Sequence, residues 1–87
     1  MKVAYSNFNL TEKTGVNALS WKFRGTVDMT TTTGFFFKKT ETVEREVFKV
    51  YGDFWYYTDN GELAEQDISK LVRMYVAKVG LQLEDCL

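Results

Sequence analysis

A single stripe of apolar residues at helical spacing lies near the C-terminal end of this 87-residue chain. Gly80 stands where a glycine would end a helix, and Lys78 in the last turn would suit the helix dipole. Apolar side chains along one helical face must be buried against another element, so the stripe predicts one amphipathic helix docked on a sheet. The stripe consists of Ile68, Leu71, Val72, Tyr75, Val76 and Val79.

The middle of the chain alternates between apolar and polar residues, as a half-buried β-strand does. The threonines that follow extend this strand to a turn near Thr33 and Gly34, where glycine tolerates a positive φ. A second strand is predicted from residue 35 to about residue 51, which gives a long antiparallel hairpin. The apolar side of the first strand consists of Leu19, Trp21, Phe23, Val27 and Met29.

The segment between hairpin and helix reads as a short third strand and a turn. FWYY at residues 54–57 has high β propensity, and TDNG at residues 58–61 favours a turn. The predicted fold is therefore α+β: an antiparallel sheet of about three strands packed by one C-terminal helix. A chain this long forms a single domain, 1–87, with a weakly patterned N-terminal segment at 1–15, where TEKTG reads as a loop, and a short tail at 81–87.

Strand parity decides which way the run Phe35, Phe36 and Phe37 faces. The first and third rings are expected to lie under the helix, so that Phe36 points away unless a bulge re-aims it. One helix covers only one sheet face, yet the pattern places aromatics on both, and a large exposed apolar patch marks a partner site. We therefore predict self-association through sheet surface or edge, and contact with a protein partner. The predicted contact residues are Phe36, Phe48, Trp55 and Tyr57, with Lys38 and Lys39 at the rim.

The composition removes the commonest catalytic chemistries. The chain has no histidine and one cysteine, Cys86, which excludes histidine-dependent triads, histidine zinc sites and intrachain disulfides. A two-carboxylate catalytic site near the helix start is a distant third possibility, because acidic residues are expected at a turn and in a first helical turn. An aromatic ligand cage of Trp21 and residues 54–57 is outweighed by the use of large aromatics to fill a small core. We predict a non-enzymatic protein without metal or cofactor. The acidic residues are Asp53, Asp59, Glu62 and Asp67.

A single-stranded nucleic-acid binder is the alternative. Residues 1–40 carry six positive and two negative charges, whereas residues 41–87 carry five and ten. Such asymmetry makes either a bipolar surface or charge pairs across strands. Aromatics interleaved with basic residues bind single strands, although an isoelectric point near 5.4 weighs against this function. The residues concerned are Lys22, Arg24, Phe36, Lys38 and Lys39.

Three segments resemble a known group of proteins: TTTTGFFFKKTETVE, YGDFWYYTDNGEL and the helix LVRMYVAKVGLQ. They are similar to small proteins of unassigned function encoded in bacteriophage and prophage genomes, over most of the chain after about Ser20. The resemblance implies a bacterial cytoplasmic setting and an accessory or structural phage role, and it brings no active-site residues. The sequence has no apolar run typical of a signal peptide or membrane span, so we expect a cytoplasmic protein without a membrane partner.

Overall fold

The computed structural model describes residues 1–17 and 20–80, which form an antiparallel sheet and one C-terminal helix. The predicted α+β class is confirmed, with four strands rather than about three. Leu19 of the predicted strand and the tail at 81–87, including Cys86, lie outside the described residues. No helix in the described part is long and apolar enough to cross a membrane. The elements follow the spatial order β1 (Lys2–Thr14), β2 (Lys22–Thr33), β3 (Lys39–Val50) and β4 (Tyr56–Tyr57), with helix α1 at Glu65–Val79.

Strand β1 is the main difference from the sequence prediction. Residues 1–15 are weakly patterned, yet 13 of them form a strand that pairs antiparallel with β2. The pairing register shifts twice, between Ser6 and Asn9 and again after Leu10, and each shift changes which parity faces the core. Tyr5 and Phe8 both pack into the core although they are three residues apart. The bulges therefore hide the alternation that normally reveals a strand.

The hydrophobic core lies between α1 and one end of the sheet. Ile68, Val72 and Val76 of the predicted stripe are buried, Leu71 and Tyr75 pack at the core's edge, and Val79 is partly exposed. Each large apolar side chain that is fully buried contributes about 1.5–3 kcal/mol before its ordering entropy is subtracted. The helix prediction is thus confirmed in position and in the face that it buries. The buried core residues are Phe8, Phe23, Val27, Val47, Trp55, Tyr57, Ala64, Ile68, Val72 and Val76.

Both ends of α1 follow from local chemistry. The helix begins at Glu65, with acidic residues in its first turn and no side-chain cap from Ala64. At the other end, Gly80 has a φ of 124°, and its N–H donates to the Val76 carbonyl over 3.0 Å. Glycine at this position confirms the predicted helix end.

The hairpin formed by β2 and β3 extends well beyond the core. Its twelve residue pairs run in unbroken register from Lys22↔Val50 to Thr33↔Lys39. The molecule measures 53 × 27 × 18 Å, and its radius of gyration of 14.4 Å exceeds the value of about 12 Å typical of a compact chain this long. We call the hairpin beyond Val27 and Arg45 the arm, and its closing loop, residues 34–38, the tip.

Candidate interaction site

The three consecutive phenylalanines lie in the tip and not in a strand, because β2 ends at Thr33 and β3 begins at Lys39. Phe35, Phe36 and Phe37 are 86%, 87% and 93% exposed. The expectation that Phe35 and Phe37 lie under the helix is wrong, since strand alternation does not apply inside the loop. All three rings face solvent at the end of the arm.

Gly34 fixes the path of the tip. Its φ of +100° lies in the left-handed region that side chains disfavour, and a Cβ at this position would collide with the carbonyl oxygen of Phe37. The rings of Phe35 and Phe36 meet edge to face, with centroids 5.0 Å apart. The loop therefore presents a projecting apolar knob at one end of the molecule.

The tip is also basic. Lys38 and Lys39 follow the rings and are exposed, and Lys2 of β1 lies at the same end of the sheet, separated from β3 by β2. Residues 29–40 contain no carboxylate. Lys39 approaches Glu41 at 3.8 Å, but both side chains are exposed, and such pairs contribute little. The structure thus brings Phe36, Lys38 and Lys39 together as predicted neighbours.

Phe48 belongs to a different part of the surface. It lies nine residues beyond Lys39 on β3, which corresponds to about 30 Å along the strand. It is on the sheet face away from α1, where its ring centroid is 6.0 Å from that of Tyr56. The predicted contact residues therefore do not form one surface.

Trp55 and Tyr57 are core residues, with exposures of 1% and 2%. Their assignment to a partner surface is therefore wrong. Side chains alternate along the segment that connects β3 to α1. These two side chains therefore point inward, and those of Phe54 and Tyr56 point outward. A turn around Gly52 precedes this segment and resets the phase, so parity carried over from β3 assigns the wrong pair.

A hydrogen-bonded network holds Tyr57 in place. Its hydroxyl donates to Asp67 Oδ2 over 2.8 Å, and the Arg45 guanidinium lies 3.7 Å from its ring centroid. Arg45 also donates two hydrogen bonds to Asp59, of 2.7 and 3.1 Å. Burial, together with hydrogen bonds to Tyr5 and Asp67, raises the pKa of Tyr57, whereas the bond from Arg45 lowers the pKa of Asp59. These two carboxylates hold side chains of the fold in place.

The sheet face away from α1 is mostly polar. On β2, the residues of this parity between Lys22 and Thr32 are charged residues and threonines. Arg24 lies between Glu12 and Glu46, at 3.9 and 3.3 Å, so the charges of three strands pair across the face. The broad aromatic surface expected on a second sheet face is therefore replaced by charge pairs.

The residues of the nucleic-acid alternative are not brought together. Lys22 and Arg24 lie at the opposite end of the hairpin from Lys38 and Lys39. Alternation also places Lys39 on the face opposite Arg24. The hairpin therefore does not present a continuous row of these basic residues beside Phe36.

A second exposed apolar area lies at the end of the sheet remote from the tip. Tyr56 forms a β-bridge with Leu63, and its ring lies next to Phe48. Phe54 and Leu63 are 56% and 51% exposed. We call these four residues the end patch: Phe48, Phe54, Tyr56 and Leu63.

Carboxylates adjoin the end patch. Asp53 accepts hydrogen bonds from the Phe54 N–H, at 2.8 Å, and from the Tyr56 hydroxyl, at 3.3 Å. Glu62 is exposed and directly precedes Leu63. The sequence prediction named neither Phe54 nor Leu63 as a surface contact, and the signal that identifies them is their alternation with the buried residues beside them.

No family model, curated protein or solved structure matches this chain. Within residues 1–17 and 20–80, no three acidic or sulfur side chains gather as a metal site would require.

Proposed function

We propose that this protein is a non-enzymatic interaction protein with an accessory or structural role in a bacteriophage or prophage, acting in the bacterial cytoplasm. It self-associates, and it binds a protein partner through the tip. One observation carries the proposal: three consecutive phenylalanines stand almost fully exposed at the end of a protruding arm. Exposed apolar area concentrated in this way marks a contact surface.

The apolar area of the three rings in the tip supports a binding role. A phenylalanine side chain buries roughly 150–250 Å², so three of them offer roughly 450–750 Å² to a partner. That area matches the largest apolar patches of typical monomers, which are often functional. The buried core contains none of these rings, so a loop of polar residues would serve the fold equally well.

The lysines give the contact a charge preference. Lys38 and Lys39 follow the apolar rings directly and Lys2 lies at the same end of the sheet, and complementary charge at a rim steers association and selects partners. The protein partner of the tip is therefore one whose apolar contact area has acidic neighbours.

The proposal is tested with immobilised wild-type protein, Phe36→Ser and the control Val16→Ser in lysate from infected bacteria. Val16 is an exposed apolar residue in the turn after β1, away from the tip. We expect wild type and the control to retain the same protein, and Phe36→Ser to lose it. Equal retention by all three would remove the tip from the contact.

A further inference from the structure

We infer that copies of this chain associate head to tail, with the tip of one copy seated on the end patch of the next. This inference rests on the proposed self-association and adds the two surfaces that would meet. Both surfaces are exposed and apolar, and they lie at opposite ends of the hairpin.

The charges beside the two surfaces are complementary. Lys38 lies in the tip and Lys39 directly after it, with Lys2 at the same end of the sheet and Glu41 at 3.8 Å from Lys39, whereas Asp53 and Glu62 flank the end patch. Two cations lie on the same sheet face beside Phe48: Arg24, which is paired with Glu12 and Glu46, and the exposed Lys22, opposite Val50. Residues 29–40 thus make the tip end basic, and the carboxylates of Asp53 and Glu62 lie at the end patch.

The same charges disfavour symmetric contacts. A tip against a second tip would bring Lys38 and Lys39 of one copy against Lys38 and Lys39 of the other, and an end patch against a second end patch would oppose the carboxylates of Asp53 and Glu62. Like charges across an interface suppress that pairing, whereas tip against end patch joins unlike charges. The contact between copies is therefore head to tail.

Geometry requires the two surfaces to come from different copies. Within one chain they are about 30 Å apart along β3, which is paired with β2 along its whole length. A head-to-tail contact leaves one free tip and one free end patch at the ends of every open assembly, so it continues into longer chains unless the ends meet and close a ring. The buried area of roughly 1,000 Å² is at the lower limit for a specific interface, so association is reversible.

A mixing experiment tests this arrangement. The tip variant carries Phe35→Ser, Phe36→Ser and Phe37→Ser, and the patch variant carries Phe54→Ser and Leu63→Ser. All five side chains are more than half exposed, and the fully buried core contains none of them. Circular dichroism and thermal unfolding verify that both variants are folded.

We expect wild type to form assemblies by light scattering, and each variant alone to remain at the 10.1 kDa of one chain. In an equimolar mixture, the intact tip of the patch variant meets the intact end patch of the tip variant. The mass then rises to twice that of one chain and stops, because each heterodimer retains no second competent pair. Val16→Ser is the matched control and assembles like wild type.

Charge reversal provides an independent test. Lys38→Glu and Glu62→Lys should each weaken assembly several-fold, and mixing the two should restore it, because each reversed charge then meets its opposite. Assembly of wild type should also weaken as salt is raised, since exposed charges are screened.

Three outcomes would overturn the head-to-tail contact. Mixed variants that stay monomeric while wild type assembles point to another interface and leave the proposed self-association intact. A patch variant that assembles like wild type excludes the end patch. Tip-dependent binding to phosphatidylcholine–phosphatidylglycerol vesicles by a monomeric wild type assigns the tip to lipid, and it removes self-association as well.

Discussion

Phe36 and Trp55 show how burial divides the aromatic residues of this chain into two roles. Trp55 is enclosed by the core, whereas Phe36 has nearly its full surface in solvent. Removing a ring from the core leaves a cavity, but removing one from the tip leaves the folded state unchanged. Single substitutions therefore separate residues that hold the fold from residues that make contacts.

Phe36→Ser should change the free energy of unfolding by less than about 0.5 kcal/mol, because the ring has few neighbours to lose. Phe23→Ala, at a fully buried ring of β2, should cost about 3–5 kcal/mol. Urea titration followed by fluorescence measures both. Unfolding of Phe36→Ser would instead make this ring part of the core.

Tyr57→Phe removes a hydroxyl that donates to Asp67 and bonds to Tyr5. Its loss leaves Asp67 and Tyr5 each with one hydrogen bond fewer, so the variant should lose about 1–2 kcal/mol of stability. The comparison is a urea titration of the two proteins at neutral pH. Identical midpoints would mean that solvent replaces this hydrogen bond at no cost.

The ion pair of Asp59 with Arg45 makes the stability of the fold depend on pH. Its pKa is lower in the folded chain because Arg45 donates hydrogen bonds to it. A lowered folded pKa stabilises the protein fully above the unfolded value of about 4, and this contribution is lost as pH falls through the folded pKa. The melting temperature should therefore decrease as the pH is lowered below about 4. In Asp59→Asn, the same decrease should be less steep. Parallel curves for the two proteins would contradict this role.

At the scale of elements, the helix is readable from sequence and β1 is not. Helical spacing of Ile68, Val72 and Val76 survives in the sequence because nothing interrupts α1. In β1, the positive φ of Asn7 accompanies the first register shift, and the apolar residues change parity there. A pattern with period two detects a strand only when its register is continuous.

The short strand predicted within residues 54–57 is present as β4, but its inward side and the position of the tip were predicted wrongly, for related reasons. Three consecutive phenylalanines have high strand propensity, yet the hairpin turns at them. The register of β2 with β3 ends at Thr33↔Lys39, so residues 34–38 form the loop. Near β4, the phase restarts after the turn at Gly52, which exchanges the inward and outward pairs. Of the predicted contact residues, Phe36, Lys38 and Lys39 are neighbours, while pairing between distant segments decides the positions of the others.

Gly25 is the gap in the apolar side of β2, and β1 explains it. A Cβ at this position would lie 2.8 Å from both the Asn9 carbonyl oxygen and the ring of Phe8. Gly25→Ala should therefore push β1 away and cost about 1–3 kcal/mol. The neighbouring Thr26→Ala, on the other face, is the control in thermal unfolding. A stable Gly25→Ala protein would show that β1 is not packed closely here.

At the scale of the whole molecule, the elongated shape places the residues that stabilise the fold at one end and the exposed phenylalanines at the other. The core occupies one end, and the arm carries the tip away from it along a 53 Å axis. Surfaces at two ends, with unlike charges, favour assembly in one direction. The function proposed for this chain thus follows from where the fold leaves apolar side chains uncovered.

Light scattering of wild type and of the triple tip variant, from low to high micromolar concentration, tests the central claim most directly. We expect the wild-type mass to rise with concentration above that of one chain, and the folded tip variant to remain a monomer throughout. A wild type that stays monomeric at high micromolar concentration, or a tip variant that assembles equally well, would contradict the proposal that the exposed phenylalanines are the surface through which this protein associates.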